Sequence, residues 1–300
     1  MKKYLIIPIA LIFASNLFCI DIPPLSPEFN IFGFLGASKT FTQTDVKLKG
    51  DHEFYSPGKY TVYKIYFDSI KGDFGLDAKL NAQIGLNAKI KDNFSISSLF
   101  EIGYSYYSID TKYESRKDDL NRSYKIYSDN LTLHCLLLGI AEKYNYKKFS
   151  IGLGAGILIP ISGNGTSNAD IKYFEGKGGK YALVMPSKEK FSHEDLKKLF
   201  KVPIAPYIKL TVEYEVFSMK EENLEMGVVL GAYINYNFGM KYDVDFLNAQ
   251  LPRSIENNLP VVGVYGNGDI YNKYNFSKLD FGITFGSSIK IIQWIKNWKY

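Results

Sequence analysis

The three histidines of this chain are its best candidates for acid–base or metal chemistry. His52 and His193 lie in long segments between predicted strands, and His134 lies within a strand. No two of them have the spacing of a zinc site, and the sequence contains no Gly-x-Ser-x-Gly nucleophile elbow. The remaining enzymatic alternative is His52 or His193 working with a nearby acid; the acids are Asp51, Glu194 and Asp195. We predict no enzyme activity, no metal site and no cofactor.

One glycine-rich run has the spacing of a phosphate-binding loop. Gly152, Gly154 and Gly156 alternate with Leu153 and Ala155, and the same alternation continues on both sides of the run. A phosphate loop opens a helix, whereas this segment continues as a strand. The sequence therefore predicts glycines on the inner face of a strand and not a nucleotide site.

Charged residues on the polar faces of predicted strands are the second group of residues that could form a functional site. If these faces line an enclosed interior, each charge needs a partner of opposite sign, because an unpaired buried charge is costly. The predicted luminal network consists of Asp77, Lys79, Glu101, Lys209, Glu213, Glu225 and Asp280. Glu215 and Lys278 lie on the same faces, but their positions fit the solvated strand ends equally well.

The strands that position these charges are unusually long. From Asp73 to Ile90 apolar and polar residues alternate without a break for eighteen residues. A period of two indicates a β-strand with two different faces, and strands in soluble proteins usually run about 5–6 residues. This length favours the wall of a barrel.

Eight such strands follow one another along the chain. They lie near residues 29–46, 73–90, 94–106, 131–137, 149–159, 204–216, 224–240 and 279–291. Short links (91–93, 143–147 and 218–223) alternate strictly with long ones (49–72, 112–121, 162–202 and 242–274). Antiparallel neighbours require this alternation if all short turns lie on one side. We predict an all-β, antiparallel up-and-down barrel.

The composition of the polar faces indicates which side of the wall points inward. In the seventh and eighth strands the polar face is rich in glycine and includes asparagine, threonine and serine, whereas the opposite face carries Phe, Leu, Ile and Tyr. Glycine weakens a strand exposed to water, but small residues fit a crowded eight-stranded interior. We therefore expect the apolar faces to contact lipid. A soluble lipocalin-like barrel with an apolar interior is the alternative.

In these features the chain resembles the OmpA/OmpX-type small outer-membrane β-barrels. The resemblance covers residues 29–291 and implies a closed transmembrane barrel, short periplasmic turns, long extracellular loops, and a lumen plugged by side chains and polar networks. Two further segments, Tyr60–Phe67 and Leu259–Tyr265, offer an alternative of ten strands and a porin-like channel for small solutes.

The two ends of the chain give its expected location. Lys2 and Lys3 precede the apolar run Tyr4–Phe13, which is the pattern of a secretory signal peptide and is shorter than the about 20 residues of a membrane helix. We assign 1–19 to the signal, with lipidation of Cys19 as an alternative, and 20–291 to the barrel. Residues 292–300 form an amphipathic aromatic tail or the end of the last strand. The predicted location is the bacterial outer membrane.

The third long link contains a predicted helix within Ser187–Phe200, capped by Ser192 and followed by Pro203. Residues 162–202 hold eight lysines against five acidic residues. The whole chain has a net charge of only +5, which does not call for a nucleic-acid partner. We predict membrane lipid as partner and a structural or surface-interaction role in which the long loops contact extracellular or host ligands. Ligand identity and oligomeric state stay open.

Overall fold

The computed structural model describes residues 25–46, 67–115, 127–169, 174–176, 179–181, 187–243, 245 and 271–291. The predicted signal peptide with Cys19, the 292–300 tail, and His52 with Asp51 lie outside these residues. The two segments suggested as extra strands also lie outside them, apart from Phe67.

Eight long strands form a closed ring. They are β1 (Leu25–Val46), β2 (Phe74–Lys91), β3 (Phe94–Ser115), β4 (Tyr127–Tyr146), β5 (Phe149–Ala169), β6 (Ala205–Lys220), β7 (Leu224–Asn237) and β8 (Tyr271–Ile291). Each strand pairs antiparallel with its sequence neighbours, and β1 pairs with β8 to close the ring. The predicted eight-stranded up-and-down barrel is confirmed, and a ring paired at every edge has no gap for two more strands.

The ends of the barrel differ as the link lengths predict. Short turns at residues 92–93, 147–148 and 221–223 define what we call the turn end, and the long links define the loop end. One predicted boundary is wrong: β4 continues to Tyr146, so that Lys143 lies in the wall and not in a connection.

Short elements extend the wall at the loop end. Phe67–Gly72 pairs with β3, Ser187–Phe191 pairs with β5, Phe200–Val202 pairs with Lys241–Tyr242, and Phe174–Gly176 pairs with Gly179–Tyr181. Helix α1 spans only His193–Leu199, because the preceding residues join the sheet as a strand. The predicted cap is confirmed, since Ser192 and Asp195 form a reciprocal capping box. No helix in the described part of the chain is long and apolar enough to cross a membrane.

The two faces of the wall have opposite character. Outward side chains are apolar and exposed, as at Leu80 (58% exposed) and Ile283 (60% exposed). Their inward neighbours are polar and buried, as at Asn81 (1% exposed) and Asp280 (0% exposed). A soluble barrel requires the reverse, so the lipocalin-like alternative does not fit this wall. An apolar exterior around a polar interior is the arrangement of a transmembrane barrel.

Strand β4 departs from the expected orientation. Its alternating apolar set Leu133, Cys135 and Leu137 points into the barrel, where each side chain is buried. Leu136 and Ile140 on the same strand point outward, so both faces of β4 are apolar here. The expectation that the apolar alternation marks the lipid face therefore fails for this strand.

The strands are tilted relative to the barrel axis, as the register of the closed ring demonstrates. Starting at Asn30, paired positions run through Gln83, Glu101, Gly139, Gly156, Tyr207, Asn237 and Lys278, and return to β1 at Thr40. The row thus advances from residue 30 to residue 40, a shift of ten residues. All members of the row face inward, and we call it the luminal row.

Candidate functional site

Hydrogen bonds along the luminal row connect one half of the barrel to the other. Asn30 Nδ2 donates to Gln83 Oε1 at 3.2 Å, and Gln83 Nε2 donates to Glu101 Oε1 at 2.5 Å. From the opposite side the Tyr207 hydroxyl donates to Glu101 Oε2 at 3.1 Å. Glu101 therefore joins side chains from three strands, β2, β3 and β6, and Gln83 extends the chain of hydrogen bonds to β1.

Glu101 also forms the first of four buried ion pairs. Lys209 Nζ lies 2.6 Å from Glu101 Oε1, and both side chains are almost completely buried. The ammonium also lies 4.8 Å from the centre of the Phe34 ring, a cation–π contact. Buried groups with several partners satisfy the condition under which an interior ion pair is tolerated.

Two further ion pairs connect β2 and β8 across β1. Lys79 Nζ lies 2.9 Å from Asp280 Oδ2, and Lys278 Nζ lies 2.5 Å from Asp77 Oδ1. Each strand thus contributes one acid and one base, and the base of each strand pairs with the acid of the other. Gly36 of β1 lies between them without a side chain; a Cβ there would come within 2.5 Å of the Tyr233 hydroxyl oxygen.

Additional donors surround these two pairs. Asn235 and Asn237 both donate to Asp280 Oδ2, at 2.8 and 3.1 Å. The Lys278 ammonium donates to the Ser108 carbonyl at 2.6 Å and lies 4.0 Å from the centre of the Tyr107 ring. These contacts hold the cluster in one arrangement.

The fourth ion pair lies closer to the turn end. Lys143 Nζ is 2.9 Å from Glu213 Oε2, and each side chain is 4% exposed. The Lys143 ammonium lies 4.0 Å from the centre of the Phe32 ring. Gly152 of β5 occupies the strand between Lys143 and Glu213, so no side chain there separates the two charges.

On the turn-end side of the ion pairs, uncharged donors surround one more buried carboxylate, that of Glu28. Glu28 accepts from Asn30 Nδ2 at 2.9 Å and from the Ser97 hydroxyl at 2.6 Å. Ser97 in turn accepts from Asn87 and Asn145, at 2.8 and 3.0 Å. This network fills the lumen towards the turn end.

An apolar cluster fills the lumen at the loop end. Leu196 and Leu199 of α1 and the adjoining Phe200 are buried against side chains of the inner wall. The other members of this loop-end cluster are Met240, which follows β7, and the wall residues Tyr107, Ile109, Leu133, Cys135, Leu137, Leu158, Ala205, Tyr207 and Phe276. The Asp243 backbone N–H donates to the Leu199 carbonyl at 2.9 Å and joins the first residues after Tyr242 to the helix.

The seven predicted luminal residues differ in burial and in ion pairing. Six of the seven are buried and belong to the four ion pairs: Asp77, Lys79, Glu101, Lys209, Glu213 and Asp280. Glu225 is half-buried, lies opposite Lys220 and Lys290 in the strand register, and belongs to none of these pairs. Glu215 is also half-buried, whereas Lys278 is completely buried.

Two buried charged residues of the lumen, Lys143 and Glu28, were not predicted from the sequence. Lys143 follows Leu137, Gly139 and Ala141 at intervals of two, so continuing the alternation by three steps places it on the inner face. Glu28 lies one residue before the first strand that the alternation predicts. Its alternation with Asn30 and Phe32 gives no distinct signal, because a buried phenylalanine shares the face with the polar residues.

The described candidates for acid–base chemistry have structural partners. His193 Nδ1 lies 2.9 Å from the Pro160 carbonyl oxygen, Glu194 pairs with Lys197 at 3.0 Å, and Asp195 caps α1. His134 lies on the outer wall, 2.5 Å from the Tyr104 hydroxyl. Among the described residues no group of three or more His, Cys, Asp or Glu has the arrangement of a metal site.

Comparison with known proteins gives distant matches to solved structures. No family model and no curated protein sequence matches the chain. The outer membrane protease OmpT from Escherichia coli is 11% identical over 91% of this chain and 99% of its own, with a TM-score of 0.33. Neisserial surface protein A is 10% identical over 88% and 97%, with a TM-score of 0.28.

A third match is Ail, the attachment invasion locus protein of Yersinia pestis, solved with the heparin analogue sucrose octasulfate. It is 9% identical over 88% of this chain and 99% of its own, with a TM-score of 0.27. The fold assignment rests on the strand pairing and on the two faces of the wall. These features give the chain the architecture of the small eight-stranded outer-membrane β-barrels.

Proposed function

We propose that the protein is a non-conducting barrel of the bacterial outer membrane that acts through the surface of its loop end. The observation that carries this proposal is the filling of the lumen along its length. A polar network lies towards the turn end, four ion pairs lie above it, and the loop-end cluster closes the opposite end. An interior of eight strands is just wide enough for side chains to fill.

Conduction would require a continuous file of water through these layers. The Lys209–Glu101 pair and the Tyr207 hydroxyl meet in the middle of the lumen, and Gly139 and Gly156 leave room only for that contact. Displacing the charges from one another would leave buried ions unpaired, at a cost of about 3–5 kcal/mol for each broken pair. The filled lumen therefore favours a closed barrel over the porin-like alternative.

The surface over the closed end supports a role in binding. Lys190, Lys197, Lys198 and Lys201 are exposed on and around α1, against the exposed acids Glu194 and Asp195. Since α1 is held by the buried side chains of Leu196 and Leu199, its lysines Lys197 and Lys198 are displayed on a fixed support. We propose a non-enzymatic contact with anionic extracellular or host glycans.

Single-channel conductance in planar bilayers tests the closed lumen. The refolded chain, with its insertion verified by heat-modifiable migration on gels, is expected to give no stable openings. Leu196→Ala serves as the matched variant, because it loosens the loop-end cluster and leaves all four ion pairs in place. It should also stay silent. Reproducible openings of the unaltered protein would contradict the closed barrel and support a channel.

Binding is tested with proteoliposomes and two defined probes, dextran sulfate and uncharged dextran. We expect binding of the sulfated polymer only, and a loss of about tenfold in affinity in Lys197→Glu/Lys198→Glu, because two attractive charges become repulsive. Lys147→Glu/Lys148→Glu at the turn end is the control with the same charge change. Equal effects of both double substitutions would contradict a binding role of α1.

A further inference from the structure

We propose that the outer wall carries a binding site for the sugar head group of a membrane glycolipid, formed by Tyr104, Tyr106 and His134. The site presupposes that the barrel spans a membrane, but it is independent of the proposed role of the loop end. It lies on the outward face of β3 and β4, next to β5.

The site lies on β4 where the apolar part of the outer wall gives way to a polar part. On β4 the side chains that alternate in phase with His134 are Leu136, Leu138 and Ile140 towards the turn end, and the buried Thr132 and half-buried Asn130 towards the loop end. His134 stands between the two groups. A histidine facing hydrocarbon is unfavourable, so this position is suited to the level of the lipid head groups.

A chain of hydrogen bonds orients the Tyr104 hydroxyl. Asn164 Nδ2 lies 3.4 Å from His134 Nε2, and since an amide nitrogen can only donate, Nε2 accepts. With Nε2 as the acceptor, Nδ1 carries the ring proton and donates to the Tyr104 oxygen 2.5 Å away. The hydroxyl hydrogen of Tyr104 is thereby left for an acceptor outside the protein.

The neighbouring tyrosine has the opposite capacity. The Thr132 hydroxyl donates to Asn130 Oδ1 at 2.8 Å, so towards Tyr106 it acts as an acceptor. The Tyr106 hydroxyl, 3.5 Å from Thr132 Oγ1, uses its hydrogen in that contact and keeps lone pairs for an external donor. The wall thus presents one donor and one acceptor side by side.

Aromatic rings surround these two hydroxyls. The Tyr104 ring lies 6.0 Å from the His134 ring at an interplanar angle of 27°, and the Tyr106 ring lies 5.9 Å from His134 at 75°. Tyr104 is 43% exposed and Tyr106 is 36% exposed. Aromatic faces pack against the C–H face of a sugar ring, whose hydroxyls both donate and accept hydrogen bonds.

Charges of both signs lie near the site, since the exposed Lys190 pairs in register with Asn164 on the neighbouring strand. Lys112, a lysine further along the same strand, already pairs with Asp73. Asp110, which accepts from Asn130 at 2.5 Å, places a carboxylate on the loop-end side of the site. A phosphate diester only accepts hydrogen bonds and cannot donate to the Tyr106 acceptor, whereas a sugar hydroxyl can both donate and accept, so the hydrogen-bond pattern favours the sugar.

The proposal is tested by NMR of the histidine imidazole groups, with the full chain in phosphatidylcholine nanodiscs. Monogalactosyl diacylglycerol is titrated in one series, and phosphatidylglycerol, which has a charged phosphate and no sugar ring, in the other. We expect the galactolipid alone to shift the His134 resonances to saturation. His193, whose Nδ1 lies 2.9 Å from the Pro160 carbonyl oxygen, is the internal reference.

Matched variants assign the effect to the site. Tyr104→Phe keeps the ring and removes the donor, so the apparent affinity for the galactolipid should fall about fivefold, the value of one hydrogen bond. Tyr106→Phe should cause a similar loss, and it replaces Tyr104→Phe if that variant fails to insert. Tyr144→Phe, an exposed wall tyrosine near the turn end, should bind unchanged.

Three results would overturn the proposal: no shift of His134 with the galactolipid, an equal shift with phosphatidylglycerol, or unchanged affinity in both site variants. Because all of these readouts concern the outer wall, they leave the conductance and dextran experiments on the lumen and the loop end unaffected.

Discussion

The Tyr207 hydroxyl on β6 reaches the Glu101 carboxylate on β3, at 3.1 Å, across the two strands that separate them in the wall. The contact exists because those strands have glycine at the crossing positions. A Cβ at Gly139 would come within 2.3 Å of the Tyr207 hydroxyl oxygen, and one at Gly156 within 2.7 Å. Two residues without side chains thus allow a hydrogen bond that ties opposite parts of the barrel.

Removing this hydroxyl should destabilise the barrel. Tyr207→Phe leaves Glu101 Oε2 without its donor in a buried site, and we expect a loss of about 1–3 kcal/mol in the free energy of unfolding. Urea unfolding in detergent, followed by heat-modifiable migration, measures the change. Tyr214→Phe on the same strand is the control, because its side chain points outward and is 40% exposed. An equal loss in both variants would contradict the assigned contact.

A double-mutant cycle tests the role of the glycine. Gly139→Ala places a methyl group against the Tyr207 hydroxyl, so it should destabilise the unaltered protein more than it destabilises Tyr207→Phe. Part of the cost will persist, since the same methyl group also approaches the Ala155 carbonyl oxygen at 2.9 Å. Additive effects in urea unfolding would mean that the hydroxyl and the glycine position are independent.

The ion pair Lys278–Asp77 should be much more sensitive to the loss of one partner than of both. Lys278→Met leaves the Asp77 carboxylate buried without its cation, and we expect a loss of about 3–5 kcal/mol in unfolding free energy. Lys278→Met/Asp77→Leu removes both charges and should recover most of that loss. A double variant less stable than the single one, measured by the same unfolding assay, would contradict the buried pair.

A charge on the outer wall should act according to its depth in the membrane. Ile283→Lys, in the middle of the apolar face of β8, should cost about 2–4 kcal/mol, and Ile291→Lys, at the turn end of the same strand, about 0–1 kcal/mol. Reversible folding into phosphatidylcholine bilayers measures both. Equal costs would argue against a membrane around this wall.

The capping box of α1 should make the helix sensitive to acid. The Ser192 hydroxyl and backbone N–H, which donate to the Asp195 carboxylate, hold the pKa of Asp195 below its usual value. A group whose pKa is lower in the folded state stabilises it above the usual aspartate pKa and loses this effect as the pH falls through the folded pKa. We expect the helical Cα chemical shifts of residues 193–199 to diminish below about pH 4.

Two variants identify the group responsible for this transition. Asp195→Asn should abolish the acid transition of α1, since it removes the titrating carboxylate. Ser192→Ala should destabilise the helix at neutral pH by about 1 kcal/mol, the usual value of an N-cap. An unchanged acid transition in Asp195→Asn would assign the titration to another group, such as Glu194.

The sequence by itself determined the number of strands, the two faces of most of them and the order of short and long connections. These properties are local: a period of two appears in every segment such as Asp73–Ile90, and link lengths are read directly along the chain. Closure of the ring then follows for a set of antiparallel neighbours that leaves no edge unpaired.

Local patterns failed where both faces of a strand have the same character. Leu133 and Leu137 face inward while Leu136 and Ile140 face outward, so apolar residues alone could not give the orientation of β4. Helix α1 is shorter than its propensity suggests because backbone pairing with β5 captures residues 187–191.

Only the tertiary structure decided which charges meet. Lys79 pairs with Asp280 and Lys278 with Asp77 because the tilt of the closed ring sets the register between β2 and β8, strands that are distant in the chain and separated by β1. Lys143 reaches Glu213 across Gly152 for the same reason. A sequence places a charge on one face of its strand, but the partner depends on the shift of ten residues around the whole ring, which no single segment encodes.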